Sequence, residues 1–178
     1  MTTTPASLSI CLTAHAVFLR LPERATFQGS VDFKRLITEL AGKKHFYYVL
    51  DLERCTLMDS TFLGMLFGLA VKNPPCQAPV KFDLFRPSQR ILDQLDNLGL
   101  VEHFGQVQSL DLTGQDFTEV EPKVTPDKLE AAKVSLKAHQ DLMEASPANV
   151  PRFKDVVAFM AEDLKQLTEK KNKGGTAT

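Results

Sequence analysis

Three adjacent polar residues, Asp59, Ser60 and Thr61, are the residues of this chain best placed to do chemistry. They stand between two strongly apolar segments, and Asp59 or Ser60 is expected to cap the helix that follows. A carboxylate and two hydroxyls at a helix N-terminus lie where free backbone amides and the helix dipole favour negative charge. Asp and Ser are also the ordinary capping residues of any helix. The cluster is therefore either a functional site centred on Ser60 or a plain cap.

Other catalytic signatures are not found in the sequence. It has no glycine-rich loop followed by lysine, no nucleophile elbow and no HExxH motif. The four histidines are dispersed, and no cysteine pair has the spacing of a metal knuckle. A receiver-type phosphoacceptor at Asp51 would need an acidic pair after the first strand, where residues 13–16 read Thr-Ala-His-Ala. We therefore predict no catalytic residue, no metal site and no cofactor.

Composition narrows the class of protein. The chain has 178 residues, 43% hydrophobic and 24% charged, with a formal net charge of −1. This balance is typical of a globular protein and provides no overall basic field for nucleic acid or an anionic membrane. Three cysteines fit reduced thiols, no signal peptide is evident, and the longest apolar run is too short to span a bilayer. These features favour a cytoplasmic protein without a membrane span.

The first part of the chain predicts a hairpin and a helix. Residues 7–13 alternate between apolar and polar side chains, and 17–21 form a second short apolar segment after a tight connection. This pattern predicts two antiparallel strands. Ser30 is expected to cap an amphipathic helix, and Gly42 is expected to end it.

The centre of the chain predicts the core. Residues 46–52 are almost continuously apolar, which predicts a central strand covered on both faces. Asp51, near its end, is expected to bond to nearby backbone. The run 62–71 predicts a buried helix whose Gly64 and Gly68 allow close packing on the sheet.

The next segments complete a mixed domain. Residues 80–85 alternate as a strand, Ser88 is expected to cap a helix that Gly99 ends, and 107–112 are predicted to be the last strand. The order of elements predicts an α/β (α+β) fold, with a mixed sheet of about five strands and helices packed on it.

The C-terminal third is predicted to be a helical extension. Residues 113–124 are polar and acidic, as in a linker, and Thr125-Pro126-Asp127 is typical of a helix start. Two apolar stripes follow within 125–171, and 172–178 are predicted to be a disordered tail. The stripes, which could pair with each other, pack on the sheet domain or bind another chain, are Leu129, Ala132, Leu136, His139 and Met143, then Phe153, Val157, Met160, Leu164 and Leu167.

The run YYVLDLERCTLMDSTFLGMLFGLA resembles the signature of the STAS domain, the fold of bacterial anti-sigma factor antagonists. In that family a strand ending in aspartate leads through a loop to Asp-Ser-Ser or Asp-Ser-Thr and a buried helix. The later stretch KFDLFRPSQRILDQLDNLGLVEHF is similar to the family's strand, helix and G-L-x-x-x-F ending. The resemblance covers about 7–112.

The resemblance implies that Ser60, or alternatively Thr61, is phosphorylated by a partner serine kinase. That kinase would itself be an anti-sigma factor with a GHKL-type ATPase fold. Asp59, Ser60, Thr61 and Phe62 would then contact the partner, with Asp59 holding the loop. The unphosphorylated form would bind the anti-sigma factor and free the sigma factor, and a phosphatase would reset the switch. No direct contact with nucleic acid is implied.

Three features depart from the family pattern. Phe62 replaces a common glycine, and its ring is expected to fill space that a kinase approaches. Pro22-Glu23-Arg24 replaces the family's glycine before the first helix. The helical extension lies outside the basic domain and could carry a second contact surface.

Two other functions stay open from the sequence. One is a constitutive binding or assembly module, such as a cytosolic subunit of a transport complex, that docks through its C-terminal helices. The other is an enzyme, which would require a cavity that holds Asp51, Asp59 and a histidine. The sequence does not fix the oligomeric state, and a dimer is one option.

Overall fold

The computed structural model describes residues 7–72, 74–122 and 127–174. The strands in these residues are β1 (Ser9–Leu12), β2 (Val17–Arg20), β3 (Arg24–Ala25), β4 (Tyr47–Asp51), β5 (Leu57–Met58), β6 (Lys81–Phe85), β7 (Gly105–Val107) and β8 (Thr118–Glu119). The α-helices are α1 (Phe27–Gly42), α2 (Ser60–Phe67), α3 (Gln89–Asn97), α4 (Lys128–Ala145) and α5 (Val150–Gly174). Single helical turns occupy Gly68–Lys72, Pro75–Gln77, Val101–His103 and Pro147–Asn149.

Six strands form one mixed sheet in the order β7-β6-β4-β2-β1-β8. The pairs β2–β4, β4–β6 and β6–β7 are parallel, whereas β1 is antiparallel to both β2 and β8. The predicted α/β class, the antiparallel hairpin and the central position of β4 are confirmed. The sheet has one strand more than the predicted five, because β8 forms within the predicted linker 113–124.

Apolar side chains cover both faces of β4, as predicted. Tyr48 and Leu50 belong to the main core, which the helices close. Val49 points to a smaller cluster on the opposite face, against which Leu110 and Leu112 pack. These two leucines lie in the predicted last strand 107–112. That prediction is wrong, since the strand β7 ends at Val107 and the leucines cover the outer face without pairing.

Both predicted caps of the first helix are wrong. The helix α1 begins one turn earlier than predicted, with Thr26 at its N-cap. Ser30 lies inside the first turn, fully buried, and its hydroxyl donates to the Thr26 carbonyl at 3.1 Å. At the other end Gly42 is still helical, and Lys44 takes the positive φ of 71°. By contrast, the predicted Ser88 cap of α3 is confirmed, because its hydroxyl accepts from the Ile91 amide at 3.3 Å.

The C-terminal helices form an antiparallel pair attached to the sheet domain. The helix α4 packs against α2, α1 and α5, and Lys171 near the end of α5 binds Asp127 at the start of α4, at 2.9 Å. The predicted cap at Thr125 and Pro126 lies outside the described residues. Asp127 caps α4, and α5 continues to Gly174, three residues past the predicted end at 171.

The core-facing side of α4 differs from the predicted stripe. Val134, Ala138 and Leu142 are the residues that enter the main core, with Ala131 and Ala145 packed beside them. Of the predicted stripe, only His139 is buried. The predicted stripe and the core-facing residues differ because α4 packs on two sides, against the domain and against α5.

Candidate functional site

The carboxylate of Asp59 joins the N-termini of two helices. Its Oδ1 accepts the Phe62 amide of α2 at 2.8 Å, and its Oδ2 accepts the Phe27 amide of α1 at 2.7 Å. Each bond satisfies an amide that has no partner within its own helix. Asp59 is thus the N-cap of α2, one of the two predicted caps, and it also fixes α1 relative to α2.

A short parallel ladder positions Asp59. Arg24 and Ala25 of β3 pair with Leu57 and Met58 of β5, and the Asp59 amide then donates to the Ala25 carbonyl at 3.1 Å. Because this ladder directly precedes both helices, it sets the register in which they begin. The connection between β4 and α2 therefore contains a paired strand, β5.

Ser60 is the first residue of α2, and its hydroxyl contacts a histidine of the C-terminal extension. Ser60 Oγ lies 3.0 Å from Nε2 of His139 in α4. The other ring nitrogen, Nδ1, lies 2.8 Å from the Ser135 carbonyl oxygen. A carbonyl only accepts, so Nδ1 carries a proton and donates it. In the neutral imidazole, Nε2 then accepts, and the Ser60 hydroxyl donates to it.

The ring of His139 is enclosed. It is only 4% exposed, and the Phe153 ring of α5 meets it edge-on with 5.2 Å between centroids. The contact therefore places an enclosed ring nitrogen against the Ser60 hydroxyl, while Ser60 itself is half-buried.

The two residues after Ser60 point into the protein. Thr61 is 6% exposed and Phe62 is 2% exposed, and the ring of Phe62 packs against Phe33 of α1. The ring of Phe62 therefore leaves the solvent side of Ser60 open, contrary to the expectation that it fills the approach of a kinase. Each helical residue turns about 100° around the axis, which places Phe62 far from the face of Ser60. A partner contact by Phe62 and phosphorylation of Thr61 stay predictions, with neither side chain at the surface.

Two glycines allow α4 to approach α2 closely. A Cβ atom at Gly64 would overlap the backbone carbonyl of Ala138, and one at Gly68 would meet the carboxylate of Asp141. The close packing predicted for these glycines is present, but its partner is α4 and not the sheet. The contact brings the backbone of α4 within reach of the Ser60 end of α2.

The interface between α2 and α4 contains buried charge. Asp141 is 2% exposed and forms an ion pair with Lys137 one turn earlier on α4. Burial raises the pKa of the Asp141 carboxyl, and the Lys137 ammonium offsets only part of that effect. At the edge of the same interface Lys72 binds Glu144 at 2.7 Å. The contact is therefore more polar than the packing of α2 on the sheet.

Asp51 lies at a separate place, at the end of β4. Its Oδ2 binds Arg86 at 2.8 Å and Arg20 at 3.2 Å, and its Oδ1 accepts the Glu53 amide at 3.2 Å. The bond to Glu53 is the predicted local backbone bond, and the two arginines are additional partners that the sequence did not indicate. A buried carboxylate with these partners has a structural role.

An open depression of about 390 Å³ lies beside Asp59 and is lined by Arg24, Thr26, Phe27, Gln28, Leu57 and Asp59. Phe27 is half-exposed there, which gives the depression an apolar rim. It contains neither Asp51 nor a histidine, so it offers no support to the enzyme alternative. Within the described residues no group of three His, Cys, Asp or Glu side chains is placed to bind a metal.

His139 is the site residue that the sequence reasoning did not identify as a partner of Ser60. A signal was present, because a histidine within an apolar helical stripe needs a hydrogen-bond partner when it is buried. The identity of that partner, 79 positions earlier, depends on how α4 crosses α2.

Comparison with known proteins does not place the chain in a family. No protein-family model matches it, and a search of curated proteins found no significant relative. Among the residues that the structure describes, no helix combines the length and apolar character required to span a membrane.

Proposed function

We propose that this protein is a non-enzymatic partner-switching regulator of the anti-sigma factor antagonist type, controlled by phosphorylation at Ser60. The observation that carries the proposal is the position of the Ser60 hydroxyl, at the first residue of α2 beside the Asp59 cap and on the half-buried rim of the domain. The STAS-like sequence run and the mixed sheet also support it. The partner is an anti-sigma factor or serine kinase of GHKL type, with a phosphatase that resets the switch, and the setting is the cytoplasm.

The chemistry of the site suits such a switch. A phosphate adds about −1.5 to −2 charges at neutral pH. The N-terminus of α2 favours that charge through its dipole, whereas the Asp59 carboxylate next to it repels it. A partner that contacts the open side of Ser60 loses contact when charge and bulk are added together. Binding therefore depends on the phosphorylation state of a single side chain.

Phosphorylation by the cognate kinase with ATP tests the proposal. We expect mass spectrometry to find one phosphate on Ser60 and none on Thr61, which is buried. The Ser60→Ala variant should take up no phosphate, whereas Thr61→Ser should still be modified at Ser60. A wild-type protein that stays unmodified at Ser60 would refute the phosphorylation switch.

A second function, a constitutive assembly module that docks through its C-terminal helices, is favoured by the surface of α5. No residue of α5 with a described side chain is buried, and Phe159 is 74% exposed with Val156 one turn before it. An exposed phenylalanine on a helix that contacts the domain only along one stripe is a natural contact for another protein.

Point variants separate the two functions better than truncation does. Deletion of the C-terminal helices would uncover the core contacts of Val134, Ala138 and Leu142 and could unfold the domain. In pull-downs from the native host, an assembly module should lose its partner with Phe159→Ser and keep it with Ser60→Ala. Leu12→Ser is the matched control, because Leu12 is also an exposed apolar residue and lies far from Phe159 in the sequence. A partner that is kept with Phe159→Ser excludes docking through this face.

A further inference from the structure

The contact between α4 and α2 has an apolar part and a polar part. In the apolar part, Val134, Ala138 and Leu142 of α4 enter the main core. The polar part consists of the Ser60–His139 bond between the two helices and the Asp141–Lys137 ion pair within α4, beside the two glycines that pack on the α4 backbone. Interfaces between units that separate are more polar than cores. The opposite side of α2, in contrast, packs Phe62, Leu63, Leu66 and Phe67 into the main core.

Both ends of α4 are held by contacts outside α2. At its C-terminal end, the buried Asn149 donates from Nδ2 to the carbonyls of Leu98 and Leu142, at 2.9 and 2.8 Å. At its N-terminal end, α4 follows β8, whose next residue, Val120, donates its amide to the Leu8 carbonyl at 2.8 Å. A helix released from α2 would therefore stay tethered and would move about the anchored turn at Asn149.

We infer that α4 covers the face of α2 that contains Ser60, Gly64 and Gly68, and that phosphorylation of Ser60 displaces α4 from this face. This inference rests on the proposed function. In the reaction the γ-phosphoryl group of ATP forms a bond to Ser60 Oγ, the bond to ADP breaks, and the hydroxyl proton leaves to the kinase's base. The product has no hydroxyl proton to donate to His139 Nε2.

The phosphorylated site does not fit the docked position of α4. Oγ and Nε2 lie 3.0 Å apart, so a phosphate cannot lie between them. The ester oxygen of phosphoserine has no proton to donate, and Nδ1 keeps the ring proton on the Ser135 carbonyl, so two acceptors would face each other. The phosphate would also lie beside Asp59, and the cation of Lys137 is already bound to Asp141. Displacement of α4 relieves these conflicts and uncovers the face of α2 that contains Gly64 and Gly68.

Hydrogen exchange of the full-length chain tests the inference without a kinase. Phosphoserine can be incorporated at position 60 during synthesis, so that the modified protein exists whether or not a kinase is known. We expect amides of α4 to exchange about tenfold faster or more than in the unmodified protein, while amides of β4 and β6 keep their rates. His139→Ala, which removes the acceptor, should accelerate exchange of α4 to a lesser degree.

Gly64→Ala provides a second route to the same state. Its new methyl group would overlap the α4 backbone, which cannot move as a flexible side chain does, so α4 should exchange faster without any phosphate. Gly29→Ala is the matched control, because a Cβ atom at Gly29 meets nothing within 4 Å. If Gly64→Ala accelerates amide exchange in the sheet as much as in α4, the helix is not displaced independently of the sheet.

The outcomes distinguish the inference from the function on which it rests. If α4 keeps its exchange rate with phosphoserine at position 60, the inference is overturned even when a kinase modifies Ser60. If α4 is released by phosphoserine but no kinase of the host modifies Ser60, displacement stands and the proposed function fails. If both occur, the C-terminal helices are the part of the chain that reports phosphorylation.

Discussion

The ring of Phe62 meets the ring of Phe33 edge to face, with 5.1 Å between the centroids. This pair joins α2 to α1 inside the core, on the side of α2 away from Ser60. Phe62→Ala is expected to lower the free energy of unfolding by about 3–5 kcal/mol, because it removes a buried ring and leaves a cavity. Urea denaturation measures the change. Phe159→Ala, at an exposed phenylalanine, should change it by less than about 0.5 kcal/mol, and equal losses would contradict the burial of Phe62.

Asp59 is expected to stabilise the protein through two helices at once. Asp59→Ala removes the bonds to the amides of Phe27 and Phe62 and should cost about 1–3 kcal/mol. Thermal or urea unfolding measures this loss. Ser88→Ala, which removes a single cap bond to Ile91, is the control and should cost about 1 kcal/mol or less. An Asp59→Ala loss no greater than that of Ser88→Ala would show that the second bond adds nothing.

Asp51→Asn is expected to destabilise the sheet domain in a way that salt does not mask. The substitution keeps the shape of the side chain but removes the charge that Arg20 and Arg86 share, at a cost of about 1–3 kcal/mol. Because Asp51 is 1% exposed, the loss should be similar at low and high ionic strength. Glu130→Gln, in the exposed pair with Arg35, should change stability by about 0–1 kcal/mol. A strongly salt-dependent loss for Asp51→Asn would contradict a buried pair.

The two tyrosines are expected to titrate late. Burial raises the pKa of Tyr48 to about 12, and burial together with the hydrogen bond to Asp83 raises the pKa of Tyr47 to about 12. The neutral phenols therefore contribute stability below pH 10.0, their ordinary pKa, and this is lost as the pH rises toward 12. The chain has two tyrosines and no tryptophan, so tyrosinate absorbance reports these residues directly. A tyrosinate absorbance that reaches half of its final value near pH 10 in the folded protein would refute the prediction.

Asp141 gives the contact between α4 and α2 a dependence on pH. Its pKa is raised, so the neutral acid is favoured in the folded state, and the stability that this adds is greatest below the ordinary pKa of 3.8. It is lost as the pH rises through the raised value. Asp141→Asn should remove this decline and unfold at a higher temperature than wild type at neutral pH. Glu144→Gln is the opposite control, since Lys72 lowers the pKa of Glu144, whose contribution is lost on acidification. If the loss of stability with rising pH persists in Asp141→Asn, that loss belongs to another titratable group.

Periodic patterns in the sequence predicted the elements that bury one face or two. The hairpin of β1 and β2, the central strand β4 and the helix α3 with its Ser88 cap follow from spacing that repeats over several residues. The strands β3, β5 and β8 have two residues each, too few to form a pattern. They exist because their backbones find partners in the folded chain, and local sequence does not encode that pairing.

The candidate site was predicted in its local part only. Asp59 as a helix cap and Ser60 at a helix start follow from neighbouring residues. His139 over Ser60 and the packing of Gly64 against α4 depend on a helix far along the chain. The position of Phe62 could have been inferred from the helical turn, which places the residue two positions after Ser60 on another face.

The bond between Ser60 and His139 spans 79 positions, which has a consequence for biosynthesis. Translation proceeds from the N-terminus at about 5–20 residues/s, so α4 is made about 4–16 s after α2. During that interval the Gly64 and Gly68 face of α2 and the core contacts of Val134, Ala138 and Leu142 are not yet covered. We therefore expect the nascent chain to present this face to ribosome-associated chaperones until its own C-terminal helices emerge.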